Sequence, residues 1–277
     1  MKQLYDIFSF KISKIITNHY STSFSLATSF FPKKIKYAIY SIYGFVRLAD
    51  EIVDSFLNYN QKELFDNFLE QLNFTFKHGI STNPILNSFY LTVKEYEIPQ
   101  DLIDAFLKSM QADLYKLNYD DEQELKNYIY GSADVVGLMC LKVFTHNKPE
   151  LYEKLIIPAR ALGSAFQKVN FLRDLQYDTN TLGREYYKDF VKLSANDKNK
   201  IYSVVDKEFI TALEGIRKLP YDCQLPVYIA FVYYLKLYQK IKKYYLKHNQ
   251  AKRIRINNGI KFLLISTSYL KHKFKLI

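Results

Sequence analysis

Apolar residues recur along this chain at intervals of three and four, the spacing that places them on one face of a helix. Leu4, Ile7, Phe8, Ile12, Ile15 and Ile16 form one such stripe over Leu4 to Thr17. The hydroxyl cluster Tyr20-Ser21-Thr22-Ser23-Phe24 interrupts it, Pro32 stands where a helix can begin, and a second periodic segment runs from Lys34 to Leu57. Helical patterns follow over Gln61 to Lys77, over Asn83 to Glu95, from Ile98-Pro99 through Phe106, Met110 and Asp113, and over Leu151 to Tyr177, the longest. His78 to Pro84 reads as a loop and Asp120 to Glu124 as an acidic connector. With only 8 Gly and 7 Pro in 277 residues and no alternating strand-like run, the pattern predicts an all-α fold, taken as a single domain over residues 1–277.

The informative positions are those where polar groups break apolar helices. Asp50 and Asp54 follow Arg47 inside a segment filled by Phe45, Val46, Leu48, Ile52, Val53 and Phe56. Residues i and i+4 of a helix differ by about 40° around its axis, so both carboxylates leave one face, and Tyr40, Tyr43 and Gly44 lead up to it. Alone, such a pair is more often a solvated face than a metal site. Here it has a counterpart: Gln167, Asn170, Asp174 and Asp178 fall at spacings of three, four and four beside Arg173, on a helix otherwise filled by Leu162, Phe166, Val169 and Phe171. Two carboxylate pairs opposed across a cavity repel one another and resist desolvation, so the arrangement calls for cations. Mg²⁺, or Mn²⁺ in its place, takes one or two carboxylates and completes its shell with water and phosphate oxygens, which implies a diphosphate substrate.

Other segments carry two readings each. Ser21 and Ser23 serve as helix caps or as donors to phosphate. Gly131 and Gly137, in the stretch from Tyr128 to Met139, permit close helix packing or leave room for a long ligand. Asp134 faces the metal cavity or solvent, and Asp113 is expected to be solvated. Arg184, in the loop Leu182 to Tyr186, is able to pair with phosphate.

Charge changes the picture only at the end of the chain. The net charge is +11, yet Lys236 to Ile277 holds twelve Lys or Arg and no acid, so the remainder is close to neutral. There basic residues intersperse with Leu263, Leu264, Tyr269, Leu270 and Phe274, the composition of a basic amphipathic helix suited to an anionic membrane surface, with a plain solvated helix as the rival. On the membrane reading the cavity lies elsewhere; on the rival reading the tail cations hold substrate diphosphate or merely solvate the last helix, with Arg253 and Arg255 the ones best placed to serve the site. Basic charge alone is no argument for nucleic acid, which is not expected as a partner. Two separated cysteines fit a reducing cytoplasm, the N-terminus makes a poor signal peptide, and the apolar run Leu225 to Leu235 is too short to span a bilayer.

Taken in order, Tyr20 to Phe24, Arg47 to Asp54, Tyr128 to Gly137, Asn170-Phe171-Leu172-Arg173-Asp174 through Asp178, and Gly183-Arg184-Glu185-Tyr186 resemble the squalene and phytoene synthase family. The resemblance implies an isoprenoid-synthase helical bundle around a central cavity and the condensation of two prenyl diphosphates through a cyclopropyl intermediate. It implies metal ligation by Asp50, Asp54, Asn170, Asp174 and Asp178, with Ser21, Arg47, Gln167, Asn170, Arg184 and Tyr186 on the substrate. Tyr40, Tyr43, Tyr128, Tyr130 and Phe24 are candidates for facing a carbocation, Tyr43 and Tyr130 foremost. Family members often carry a basic residue where Thr22 stands and usually glycine where Asp134 stands. The leading expectation is phytoene formation from two geranylgeranyl diphosphates without NADPH. The alternatives are a squalene or dehydrosqualene synthase using farnesyl diphosphate and, since both aspartate pairs are complete, less readily a non-catalytic membrane-associated scaffold.

Overall fold

The computed structural model describes residues 1–119 and 121–277. Twelve α-helices account for most of it: α1 (Lys2–Tyr20), α2 (Thr22–Thr28), α3 (Lys33–Asp54), α4 (Gln61–His78), α5 (Pro84–Tyr96), α6 (Gln100–Ala112), α7 (Glu122–Ile129), α8 (Val135–Phe144), α9 (Pro149–Tyr177), α10 (Ala195–Ile216), α11 (Tyr221–Tyr245) and α12 (Asn258–Lys273). π-helical turns at Tyr130–Asp134 and Asp178–Leu182 continue α7 and α9, and the described residues contain no β-strand beyond one isolated bridge between Asn118 and Glu185. The all-α expectation is met. The first residue of the expected acidic connector, Asp120, lies outside the described residues.

Local chemistry accounts for the helix ends. Asn60, Asn83, Asp121, Ser194 and Asn257 each accept a backbone N–H of the first turn they precede, and Pro84 occupies the first helical position of α5. Ser21 does the same for α2, accepting from Phe24 N at 3.4 Å, so the capping reading of the hydroxyl cluster describes this residue. Gly79 closes α4 in the left-handed region at φ 74°, where a side chain is disfavoured.

Helix α3 runs through the core. Ile39, Ile42, Phe45, Ala49, Ile52 and Val53 are all buried, and the Phe45 ring stacks on Phe89 at 3.8 Å with Phe68 and Phe106 beside it. Helix α9 packs along α10 and on α8, so the two helices that bear the aspartates are embedded on most sides. Aromatic and aliphatic burial of this extent is the main stabilising contribution.

Two helices bury small polar residues and turn large apolar ones outward, against the expected stripe in α1 and in the sense expected of a surface helix in α12. In α1 the buried positions are Ser9, Ser13 and Thr17, while Leu4, Ile7, Phe8 and Ile15 are exposed. The reason lies in the partners: α3 and α5 meet α1 with Gly44, Asn87 and Ser88, a surface that leaves little room for a large apolar side chain and is supplied with polar groups. Ser13 Oγ lies 2.8 Å from Ser88 Oγ, and Asn87 Nδ2 donates to Ser9 Oγ at 3.1 Å. A Cβ on Gly44 would sit 3.2 Å from that of Ser13. In α12 the buried residues are Ser268 and His272, the latter ring 4.3 Å from Tyr221, and Leu263, Leu270 and Phe274 point outward.

Candidate active site

Both aspartate pairs line one cavity of about 1050 Å³. Asp50 comes from the interior of α3 and Asp54 from its last residue, Asp174 from the end of α9, and Asp178 from the π-helical turn that extends it. Because α9 keeps helical register through Gln167, Asn170 and Asp174, the polar stripe faces the cavity as a unit, and all three residues line it with Asp178. Below this polar end the walls are apolar and aromatic, including Phe31, Phe106, Phe144, Leu155 and Phe166.

Arginines neutralise three of the four carboxylates. Arg47 pairs with Asp50 and also with Glu51. Arg184 Nη1 lies 2.5 Å from Asp54 Oδ1. Arg173 donates through Nε to Asp174 Oδ2 at 3.0 Å, and Arg253 Nε stands 3.0 Å from Oδ1 of the same residue without the angle of a hydrogen bond. Asp178 has no such partner among the described residues.

These charges and the low polarity of their surroundings hold protons on the site. Burial first, and then the Asp54 carboxylate, push Asp50 up to about 8 against the pull of Arg47; a third of its side-chain surface nonetheless opens to the cavity. Burial and then the Asp174 and Asp54 carboxylates raise Asp178 to about 7. In the unfolded chain both ionise near pH ~4. Between that value and about 7 to 8 the native state therefore carries protons that the unfolded state lacks, and the stability they contribute is lost as pH rises through this window. We expect the metal-free protein to melt at a lower temperature at pH 8.5 than at pH 6, and Mg²⁺ with pyrophosphate to raise the melting temperature more at pH 8.5, because the cation takes the place of the proton. A melting temperature with the same metal increment at both values would reject this.

The donor set fits a divalent cation only in company with substrate. Carboxylates and an amide oxygen are hard ligands of the kind Mg²⁺ takes, and Asp174 Oδ1 accepts no hydrogen bond. Yet among the described residues no three acidic, histidine or cysteine groups stand close enough to hold a metal by themselves. The pairs offer one or two ligands each, and phosphate oxygens would bridge them.

Several expected roles change. Arg184 does not reach the cavity; it is buried beneath Asp54, because the loop after Gly183 folds inward against the end of α6. Asp113, expected in solvent, is buried there too, accepting from Tyr128 Oη at 2.8 Å, and burial raises it to about 7 despite the nearby Arg184. Asp134 takes neither of its expected positions: it is buried away from the cavity and accepts from Arg160 Nε at 3.2 Å. Tyr130 lies under that same Arg160 rather than on the cavity wall, and Tyr40 is enclosed in the core, whereas Tyr43, Tyr128, Tyr186 and Phe24 do line the cavity. Tyr43 stacks on Phe24 at 5.0 Å, and burial raises its hydroxyl to about 12. Ser21 and Arg47 line the mouth.

The basic tail is not remote from the site. Residues 251–257 form no regular element, with Ile254 and Ile256 buried in the core and both they and the exposed Arg253 and Arg255 lining the cavity. The alternation of Arg and Ile over 253–256, matched by alternating exposure and burial, was the signal for a non-helical strap, and a helical reading of the whole tail passes over it. Lys261, at the start of α12, also lines the cavity, 3.4 Å from Thr22 Oγ1, and brings a cation to the place where the sequence has a threonine. Tyr234 donates to Asn170 Oδ1 at 3.3 Å. Neither Lys261 nor Tyr234 belongs to a local motif; both reach the cavity because α11 and α12 pack beside it.

Comparison with known proteins gives the family and the fold. The model of the family described as squalene/phytoene synthase matches residues 17–187. Phytoene synthase of Arthrospira platensis is 28% identical across 85% of this chain and 84% of its own length, and chloroplastic phytoene synthase 1 of Zea mays is 26% identical across 92% and 67%. Among solved structures, a dehydrosqualene synthase in complex with ligand superposes with a TM-score of 0.79 at 23% identity, covering 97% of this chain and 98% of that one. A squalene synthase from Alicyclobacillus acidocaldarius gives 0.73 at 19%, covering 87% and 95%. At these identities the two structures establish the shared all-helical fold.

Proposed function

The chain belongs to the squalene/phytoene synthase family, and from that premise we propose that it joins two geranylgeranyl diphosphates head to head into phytoene by way of a cyclopropyl diphosphate, without NADPH, as one catalytic unit over residues 1–277. The observation that carries this reading is the cavity itself: four carboxylates at one end of an apolar, aromatic-walled chamber large enough for long hydrocarbon chains. The named activity of the Arthrospira and maize relatives supports the longer substrate.

Ionising an allylic diphosphate leaves a highly charged anion and a carbocation that water would quench. Asp50, Asp54, Asn170, Asp174 and Asp178 would hold Mg²⁺, which supplies Lewis-acid stabilisation of the departing diphosphate. Arg47, Arg173, Arg253 and Lys261 line the same end and present their charge to phosphate oxygens, with Gln167 and Ser21 as neutral donors. Tyr43, Phe24, Tyr128 and Tyr186 turn aromatic surface to the chamber, where they exclude water and face the cation. Incubation with geranylgeranyl or farnesyl diphosphate, with and without NADPH, followed by identification of the hydrocarbon tests the proposal. Phytoene from the C20 substrate alone is the expected product. Squalene or dehydrosqualene from the C15 substrate would move the chain to that specificity, and no product from either would favour a scaffold.

We also propose peripheral attachment to the inner face of the cytoplasmic membrane. No helix among the described residues is long and apolar enough to cross a bilayer. What supports attachment is the outward face of α12, where Leu263 and Leu270 are 59% and 51% exposed and Lys271, Lys273 and Lys275 follow without an acid. Each engaged cation contributes on the order of 1 kcal/mol at an anionic surface. Co-sedimentation at low salt should show binding to anionic vesicles, little to neutral ones, and release by salt; equal binding to both, or none, rejects attachment.

A further inference from the structure

Arg184 touches both aspartate motifs. Its guanidinium is 4% exposed, with Nη1 on Asp54 Oδ1 at 2.5 Å and Nη2 donating to the carbonyls of Val53 at 3.2 Å and Asp113 at 2.9 Å. Its own backbone N–H donates to the carbonyl of Asp178 at 2.8 Å, across the turn that Gly183 makes at φ 68°. One residue thus fastens the last turn of α3 and the end of α6 with its side chain, and the turn bearing Asp178 with its main chain.

The surroundings keep it there. Asp113, itself almost fully buried, stands 4.0 Å from Nη1 and accepts the hydroxyl of Tyr128, which in turn lies 3.4 Å from that of Tyr186. The Tyr186 ring stacks on Phe171 of α9 at 3.8 Å. These carboxylates, hydroxyls and carbonyls are what face the guanidinium, and of the two carboxylates Asp54 is the one that also lines the cavity.

We propose that Arg184 is a positioning residue that sets the separation between the two aspartate pairs, with Asp113 as the buried counter-charge that holds it in place. A planar guanidinium reaches three acceptors in fixed directions, which a flexible ammonium does not. Bound to Oδ1, it also fixes the orientation in which Asp54 presents its other oxygen to the cavity, as outer-shell partners orient the ligands of metal sites.

The rival account, in which Arg184 merely neutralises Asp54, predicts the opposite sign. Removing a competing cation beside a ligand carboxylate raises affinity for a divalent ion, whereas removing a positioning group lowers it. The inference rests on the diphosphate reading of the site, and titration of the full chain with Mn²⁺ in the presence of inorganic pyrophosphate, followed by the spectroscopic signal of free Mn²⁺, separates the two. Binding should be present in the wild type and weakened about 10- to 100-fold in Arg184→Gln and Arg184→Lys, with a smaller loss in Asp113→Asn. Circular dichroism establishes whether each variant is folded. Unchanged or tighter binding in a folded Arg184→Gln overturns the positioning role and leaves the diphosphate reading standing. Should Arg184→Gln fail to fold, Arg184→Lys decides, and wild-type binding by it overturns the role. Absence of binding in the wild type overturns both.

Discussion

Asp178→Ala is expected to lower turnover by about three orders of magnitude, in line with the loss of a principal electrostatic group, and yet to raise the melting temperature of the metal-free protein. Asp54→Ala is expected to lose turnover to the same degree and to lower that temperature. The two residues share a cavity and a proposed metal role, so the difference comes from their partners. Asp178 meets the carboxylates of Asp174 and Asp54 with no arginine of its own among the described residues, and burial together with those charges raises it to about 7. Deleting it removes repulsion. Asp54 is the carboxylate on which the buried Arg184 rests, and deleting it leaves a cation in the protein interior with only Asp113 near it. Breaking a buried pair in this way costs about 3 kcal/mol, a drop of roughly 6–10 °C for a chain of this size. Melting curves in chelator and single-turnover rates at saturating Mg²⁺ check both halves. Near-normal rates in either variant would remove that aspartate from the site, and a fall in stability for Asp178→Ala would contradict the electrostatic account.

Gly131→Ala is expected to be among the most damaging single-methyl additions in the chain. Gly131 lies in the π-helical turn between α7 and α8, pressed against α6. A Cβ there would meet the Ser109 hydroxyl and come within 2.5 Å of the Ala105 carbonyl oxygen. The serine can rotate. The carbonyl belongs to helix backbone and cannot move without separating α6 from the turn, and α6 carries Phe106 and Met110 on the cavity wall. Overpacking of this kind costs about 3 kcal/mol, and thermal unfolding should shift downward by roughly 6–10 °C. A shift of less than about 2 °C, the size of an ordinary surface change, would mean that the helices have slack there. Between the two readings of Gly131, close packing is the one realised, and the turn supplies a break in helix register.

Most of the helices were legible because their apolar periodicity is strong and their caps are ordinary Asn, Asp and Ser residues. The carboxylate and amide stripe of α9 was legible for the same reason: once a helix is granted, spacings of three and four put Gln167, Asn170, Asp174 and Asp178 on one side without further information. The family followed from the order of these short motifs.

Position in the third dimension was decided elsewhere. Asp113 reads as a solvated group and Arg184 as a phosphate contact because nothing local shows what covers either, and their burial depends on each other and on Asp54, residues separated by 130 positions at the extreme. The outward face of α1 followed from the small polar surface that α3 and α5 present to it, which no pattern within α1 records. Lys261 reaches Thr22 across 239 positions only because α12 folds back beside α2. Helical register is a local property of the chain and so was available from sequence alone. Which side of a helix is covered, and which charge meets which, depends on the surfaces of its neighbours, and only the packed structure brings those together.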